Sequence, residues 1–220
     1  MEHLRLELHF TLDTAFHTTG NRRRWGADKA LAMSPGGTYV IPATSLKGVL
    51  RDRAEALLRT WGHDVCAGPA PETMCSCTDH LCLVCQVFGN PRFSSPLRFQ
   101  DAQCDPDVVS QIRSGVSISR QRRAALSGRL FFVETTAPGP LEAKASCEGY
   151  FPDRAGALQA CALVALAARW THAVGSGRTR GLGWIGELNV QATLNGAPVS
   201  RQEMEALWRV WSGGDNVAEN

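Results

Sequence analysis

The chain has 220 residues, 44% of them hydrophobic, with 23 Lys and Arg against 21 Asp and Glu and a net charge of +2. That is the composition of an ordinary globular core, expected as one domain over 1–220 with insertions, and it excludes a disordered or fibrous chain. No apolar run approaches the roughly 20 residues that span a bilayer, and no N-terminal stretch has a signal peptide's apolar core, so no membrane association is expected and a cytoplasmic location is. The small net charge hides basic runs at 22–24 and 120–123, and basic patches point to a polyanion. Five of the eight cysteines fall between Cys66 and Cys85, which in a reducing compartment points to metal.

The first clear element is residues 3–12, where Leu4, Leu6, Leu8, Phe10 and Leu12 alternate with polar residues as in a half-buried strand. Residues 13–35 break that pattern in a long loop loaded with Gly and Arg, of the kind that is often functional. In TYVIPATSLKGVLRDR, residues 38–53, a short strand ends at Pro42, and Ser45 is the expected N-cap of a helix opening at Leu46 and running to about Trp61. Lys47 and Arg51 lie four residues apart on one face of it. Unpaired N-H groups, the positive dipole end and two cations together suit a phosphate, although an ordinary capped helix has the same pattern. After a Cys-rich insertion at 63–86, LRFQDA is an expected strand and residues 105–128 a projecting arm carrying Arg120, Arg122 and Arg123. RLFFVETT at 129–136 is a further strand, apolar on both faces. The segment from Ala155 to Ala173 is apolar nearly all round and predicts a buried helix, ended by Gly175 and Gly177. GWIGELNVQATL is the last strand, Ser200 to Glu203 is a capping box opening a short helix, and 213–220 is expected to be disordered. The order β-α-β-β-α-β predicts an α+β fold with a ferredoxin-like or RNA-recognition-motif core.

Two clusters carry chemistry. Cys66, Cys75, Cys77, Cys82 and Cys85 offer more thiols than a structural zinc ion needs, and Cys82-x2-Cys85 is a knuckle that turns two thiolates toward one ion. The other two ligands stay open among Cys66, Cys75, Cys77, His63 and His80. GSGRTRGLGW, residues 175–184, sets glycines around Arg178 and Arg180, a turn that can surround phosphates with N-H groups, with Gly177 at its start.

Four segments in this order resemble the RAMP superfamily, and specifically the backbone, guide-RNA-binding subunit of type III CRISPR effector complexes: IPATSLKGVLR, the Cys82-x2-Cys85 knuckle followed by Val87-Phe88-Gly89, SISRQRRAALSGRLFFVETTAPG, and GSGRTRGLGW. The resemblance covers nearly the whole chain, with Ala43 standing where the family usually has glycine. It implies a subunit that polymerises with copies of itself and other CRISPR subunits along a CRISPR RNA, holds its phosphates through Ser45, Lys47 and Arg51, and pairs it with a target single-stranded RNA. It also implies that the arm is a thumb hairpin that kinks the duplex. In the family an acid in the loop after the first strand cuts the target beside each thumb, and WGADKAL maps it onto Asp28. The implied activity is an endoribonuclease using Mg2+ or Mn2+, with a non-catalytic guide-binding scaffold as the alternative. Asp13 and Asp101 are further candidate acids, His17 a candidate positioning group, and Trp25 a candidate stacking group. His172 is the residue that a stand-alone RNA-processing enzyme would need.

Overall fold

A computed structural model describes residues 1–20 and 22–213, so the tail expected to be disordered lies, from 214 on, outside the described residues. In chain order the elements begin with β1 (Glu2–Leu12), β2 (Val40–Ile41), α1 (Ala43–Thr60), α2 (Leu83–Phe88), β3 (Leu97–Phe99) and β4 (Ala102–Cys104). They continue with β5 (Ser110–Ser119), β6 (Ala124–Thr136), β7 (Leu141–Phe151), α3 (Arg154–Arg169), β8 (Ile185–Leu194), β9 (Ala197–Pro198) and α4 (Arg201–Trp211). The main sheet is antiparallel in the order β2-β4-β7-β1-β8-β9, with β3 pairing β7 beside β4. Within it β1-α1-β4-β7-α3-β8 forms the β-α-β-β-α-β unit, and the spatial order β4-β7-β1-β8 makes the fold ferredoxin-like.

β1 organises the core as its alternation requires: its five apolar side chains are fully buried in the cluster shared with α1 and α3, while His3, Glu7 and His9 on the other face keep contact with solvent. α3 buries Ala157, Ala160 to Leu166 and the two alanines after them, in keeping with its uniformly apolar sequence. It stops at Arg169 rather than Ala173, which leaves His172 exposed in the connection that follows. α4 opens on the expected capping box, with Ser200 and Glu203 bonded reciprocally.

Three expectations are corrected. The third core strand is β7, not RLFFVETT: the inward positions of LEAKASCEGYF include Ala143, Ala145, Cys147 and Gly149, too small and too weak in strand propensity to show in the pattern. Gly149 is required there, because a Cβ would collide with the Pro96 carbonyl at the entry to β3. RLFFVETT is instead the second half of β6, which pairs only with β5 in a separate two-stranded hairpin. This hairpin is the projecting arm, with every residue from Arg120 to Leu130 exposed, and at a rise of about 3.3 Å per residue its ten-residue β5 reaches about 33 Å. Finally, α1 begins at Ala43, and Ser45 lies inside its first turn rather than capping it. The cap comes from another element, since Asp101 between β3 and β4 accepts from the Ala43 N-H at 2.7 Å.

Candidate functional site

The loop between β1 and β2 folds back on itself through a Thr19–Leu31 bridge. Gly20 permits it, because a Cβ there would lie 2.5 Å from the Ala32 Cα. The loop then docks along β6 as a short extra strand. The Asp28 N-H donates to the Phe132 carbonyl at 2.9 Å and the Glu134 N-H to the Lys29 carbonyl at 2.9 Å. One Asp28 carboxylate oxygen accepts from the Phe132 N-H at 2.7 Å, which fixes the side chain in an otherwise exposed position. Its other oxygen has no protein partner among the described residues.

What anchors this loop is Glu134, whose carboxylate is fully buried. It accepts from Arg22 at 2.7 Å, from the Leu31 N-H at 3.0 Å, from the Tyr39 hydroxyl at 3.2 Å and from Arg24. Burial works against its ionisation, but the Leu31, Ser110 and Arg24 hydrogen bonds and the charge of Arg22 outweigh it and hold the carboxyl below its ordinary 4.5. Two of the three arginines in the 22–24 run are therefore internal counter-ions, not open phosphate contacts. The sequence offered no signal for this, because Glu134 is one acid inside an apolar strand. His17 is buried as well. Its Nδ1 donates to the Glu134 carbonyl at 2.6 Å and its Nε2 accepts from Thr19 at 3.1 Å, and burial first among the causes lowers its pKa below 6.5. It braces the loop and also lines the groove at Asp28.

Asp28 lies at a groove of about 550 Å³ between the base of the hairpin and the glycine-rich turn. Arg113 on β5, Val133 on β6 and Lys29 are cross-strand neighbours on one face, and Arg180 and Gly177 line the opposite side. The Phe131 ring covers Gly115, where a side chain would collide with it. Asp28 is the one acid lining this groove, and Lys29, Arg113 and Arg180 make no ion pair among the described residues. The arrangement is one carboxylate amid three free cations, which suits a phosphodiester.

A second groove of about 370 Å³ adjoins the first through Ser176, which lines both. It is formed by Thr44, Ser45 and Asp52 of α1, by Thr18, and by Gly175 and Arg178. The Thr18 hydroxyl is buried without a hydrogen-bond partner, a deficit that a ligand in this groove can relieve. The turn at 175–183 serves both grooves. Gly175 and Gly183 are needed because their backbones press against the His17 and Val174 carbonyls of the protein itself. Gly177 and Gly181, both at positive φ, frame the 3-10 turn that sends Arg178 to one groove and Arg180 to the other.

Other expected site residues fall elsewhere. Lys47 and Arg51 occupy a different face of α1 from Ser45, toward α2 and β3. Lys47 stands 5.9 Å over the Phe99 ring, and burial, then the charge of Arg51, lowers its pKa below 10.5. Arg51 bonds to Glu55 at 2.7 Å, to the Gly89 carbonyl and to the Cys85 sulfur at 3.6 Å. Arg120, Arg122 and Arg123 are exposed around the tip of the hairpin, where Arg123 takes a positive φ in the turn. Trp25 is 98% exposed, Asp13 packs against Gly186, and Asp101 is the cap of α1.

Four of the candidate ligands in the cysteine insertion come together. The sulfurs of Cys66, Cys75, Cys82 and Cys85 lie within 4.8 Å of one another, whereas Cys77 is exposed and outside the group. His63 is occupied by the Trp211 carbonyl at 2.7 Å. Cys66 sits 3.3 Å from Cys85 and 3.6 Å from Cys82, close to the roughly 3.8 Å between sulfurs that tetrahedral zinc-sulfur bonds of about 2.3 Å require. Donors already surround the cluster: the Cys82 N-H reaches Cys75 at 3.3 Å, and Asn90 reaches Cys85 at 3.5 Å. Burial disfavours the Cys85 thiolate, but hydrogen bonds from Asn90, Cys66 and Arg51 outweigh it and lower its pKa. These four cysteines can hold a metal ion.

The family model of the RAMP superfamily matches residues 9–186, which takes in the end of β1, the loop with Asp28, α1, the cysteine cluster, the hairpin and the glycine-rich turn. The chain belongs to the RAMP superfamily, CRISPR-associated RNA-binding proteins that work in complexes with RNA and other subunits and include some ribonucleases. No curated protein matches the chain. No helix among the described residues is long and apolar enough to cross a membrane.

Proposed function

We propose that this chain is the backbone subunit of a cytoplasmic type III CRISPR ribonucleoprotein, holding guide RNA and cutting the paired target RNA at regular intervals beside Asp28. The observation that carries this reading is the pair of grooves joined at Ser176. One offers a helix start, an unsatisfied Thr18 hydroxyl and Arg178, and the other offers Asp28 amid Lys29, Arg113 and Arg180. A backbone tracked by such groups is bound without reading its bases, so affinity falls steeply with salt.

Cleavage by in-line attack of a 2′-hydroxyl on the adjacent phosphate breaks the bond to the 5′-oxygen, leaving a 2′,3′-cyclic phosphate and a 5′-hydroxyl. The chain's own contribution is positional and electrostatic. Lys29, Arg113 and Arg180 offset the charge that builds on the phosphate. The Phe131 ring and Leu182 give the groove apolar walls. Phe132 holds the Asp28 carboxylate in place through its N-H. Mg2+ or Mn2+ would be held by the free Asp28 oxygen, with phosphate oxygens of the RNA completing the set, which is how Mg2+ is often bound at phosphate sites. Such an ion supplies Lewis-acid stabilisation of the phosphate. The cysteine cluster takes a structural Zn2+ that stiffens an insertion poor in apolar residues.

A second reading, a guide-binding scaffold without cleavage, is favoured by the single available oxygen on a lone acid. The test is reconstitution with guide, labelled complementary target and Mg2+ or Mn2+. Regularly spaced cuts support the nuclease reading, and bound but intact target supports the scaffold. Failure to retain guide RNA would overturn both.

A further inference from the structure

A third groove, of about 340 Å³, runs between α3 and α4 and shares no lining residue with the two grooves assigned to RNA. It gathers three of the chain's six tryptophans, Trp61, Trp170 and Trp208, with Arg169, Arg201 and Arg209. Its walls are fixed. Trp208 donates its indole N-H to the Ala162 carbonyl at 2.8 Å, α4 is closed at its start by the capping box, and the Trp211 carbonyl at its end is bonded to His63 at 2.7 Å. Trp170 remains 49% exposed, a large apolar surface to leave in water.

The charges in this groove are unbalanced. Arg201 pairs with Glu205 at 2.6 Å, which leaves Arg169 and Arg209, both exposed, without an ion-pair partner among the described residues. We propose that the groove docks an acidic segment of a partner protein, in which an apolar side chain enters between the tryptophans and flanking carboxylates pair with Arg169 and Arg209. Tryptophan and arginine are the residues that dominate protein-protein hot spots, and an Arg with a free planar fork takes a carboxylate in two parallel hydrogen bonds.

The charge of the groove calls for an anionic partner, and its limited stacking surface and broken line of cations favour a protein over a nucleic acid as the occupant. Single-stranded RNA needs open ring faces to stack on and a continuous cationic track. Here Trp208 is tied into the protein by its indole N-H, only Trp170 of the groove's three tryptophans stands half-exposed, and Arg201 is already paired with Glu205, so the free cations form no continuous track. A short acidic peptide needs only the two free arginines and the apolar cleft between them.

The experiment selects a random 12-residue peptide display library on the full chain, with counter-selection on Arg169→Glu/Arg209→Glu. Both positions are exposed, and an unchanged melting curve verifies the variant's fold. The expected consensus is a Leu, Phe or Trp flanked by at least two Asp or Glu. The synthetic consensus peptide should lose at least tenfold in affinity on Arg169→Glu/Arg209→Glu and on Trp170→Ala, and bind Asp28→Ala as it binds wild type. A consensus without acids, no consensus at all, or equal binding to the double variant overturns the proposal. An oligouridine probe that competes for this groove in a Trp170-dependent way would reassign it to nucleic acid. Self-association in sedimentation that the same variants abolish would reassign it to a second copy of the chain.

Discussion

Replacing Glu134 with alanine removes the one carboxylate that holds the Asp28 loop to the hairpin. Arg22 and Arg24, with side chains 28% and 32% exposed, would be left facing an emptied site, and the Leu31 N-H and Tyr39 hydroxyl would lose their acceptor. Removing one partner of a buried ion pair costs about 3–5 kcal/mol. For a chain of this size each kcal/mol moves the melting temperature by about 2–4 °C, so the expected drop is about 6–20 °C. The carboxyl is held below 4.5 in the folded state, so its contribution is present above that pH and is lost as pH falls through the folded value. The gap between wild type and Glu134→Gln should therefore be full at neutral pH and close below pH 4.5. Calorimetry across pH reads both quantities, and trypsin reads the loop, because released arginines at 22–24 become cleavable. A drop of less than about 3 °C together with unchanged tryptic resistance would refute the assignment of Glu134 as the anchor.

Elemental analysis should find one zinc per chain, retained in Cys77→Ser and lost in Cys82→Ser or Cys85→Ser; zinc that survives Cys82→Ser would rule the four-cysteine site out. Asp101→Ala should destabilise the fold by about 1 kcal/mol through loss of the α1 cap, read as a shift in the denaturant midpoint at constant slope. Guide-RNA binding measured at several salt concentrations should weaken and lose slope in Arg178→Ala, and weaken in Thr18→Val. Arg51→Ala should chiefly loosen the metal site, and a larger loss of slope in Arg51→Ala than in Arg178→Ala would put the phosphate track on the other face of α1.

The parts of this molecule legible in the sequence are those where one physical signal dominates. β1 alternates over a full face, α3 is apolar all round, and α4 carries its own capping box, so each could be read from local pattern alone. β7 could not, because a strand packed tightly beside β3 has small inward residues and so no hydrophobic amplitude. α2 was hidden by its length of six residues, less than two turns. At the site, the four cysteines were visible as a cluster, but only three-dimensional proximity separates Cys77 from the rest. The basic run at 22–24 and the Lys47/Arg51 pair read as phosphate ligands because sequence displays charge without its partner. Glu134, distant in the chain, is the partner of Arg22 and Arg24, whereas Arg51 pairs with Glu55 on its own helix and reaches the Gly89 carbonyl and the Cys85 sulfur, and Lys47 lies over the Phe99 ring. The converse holds for Arg113, a lone arginine in the arm that the register of β5 and β6 brings beside Lys29.

The central claim is that target RNA is cut at the groove holding Asp28, and single-turnover cleavage by the reconstituted ribonucleoprotein tests it most directly. Asp28→Ala should slow cleavage by about a hundredfold or more while guide and target binding stay as in wild type. Regularly spaced cuts at the wild-type rate in Asp28→Ala would contradict it.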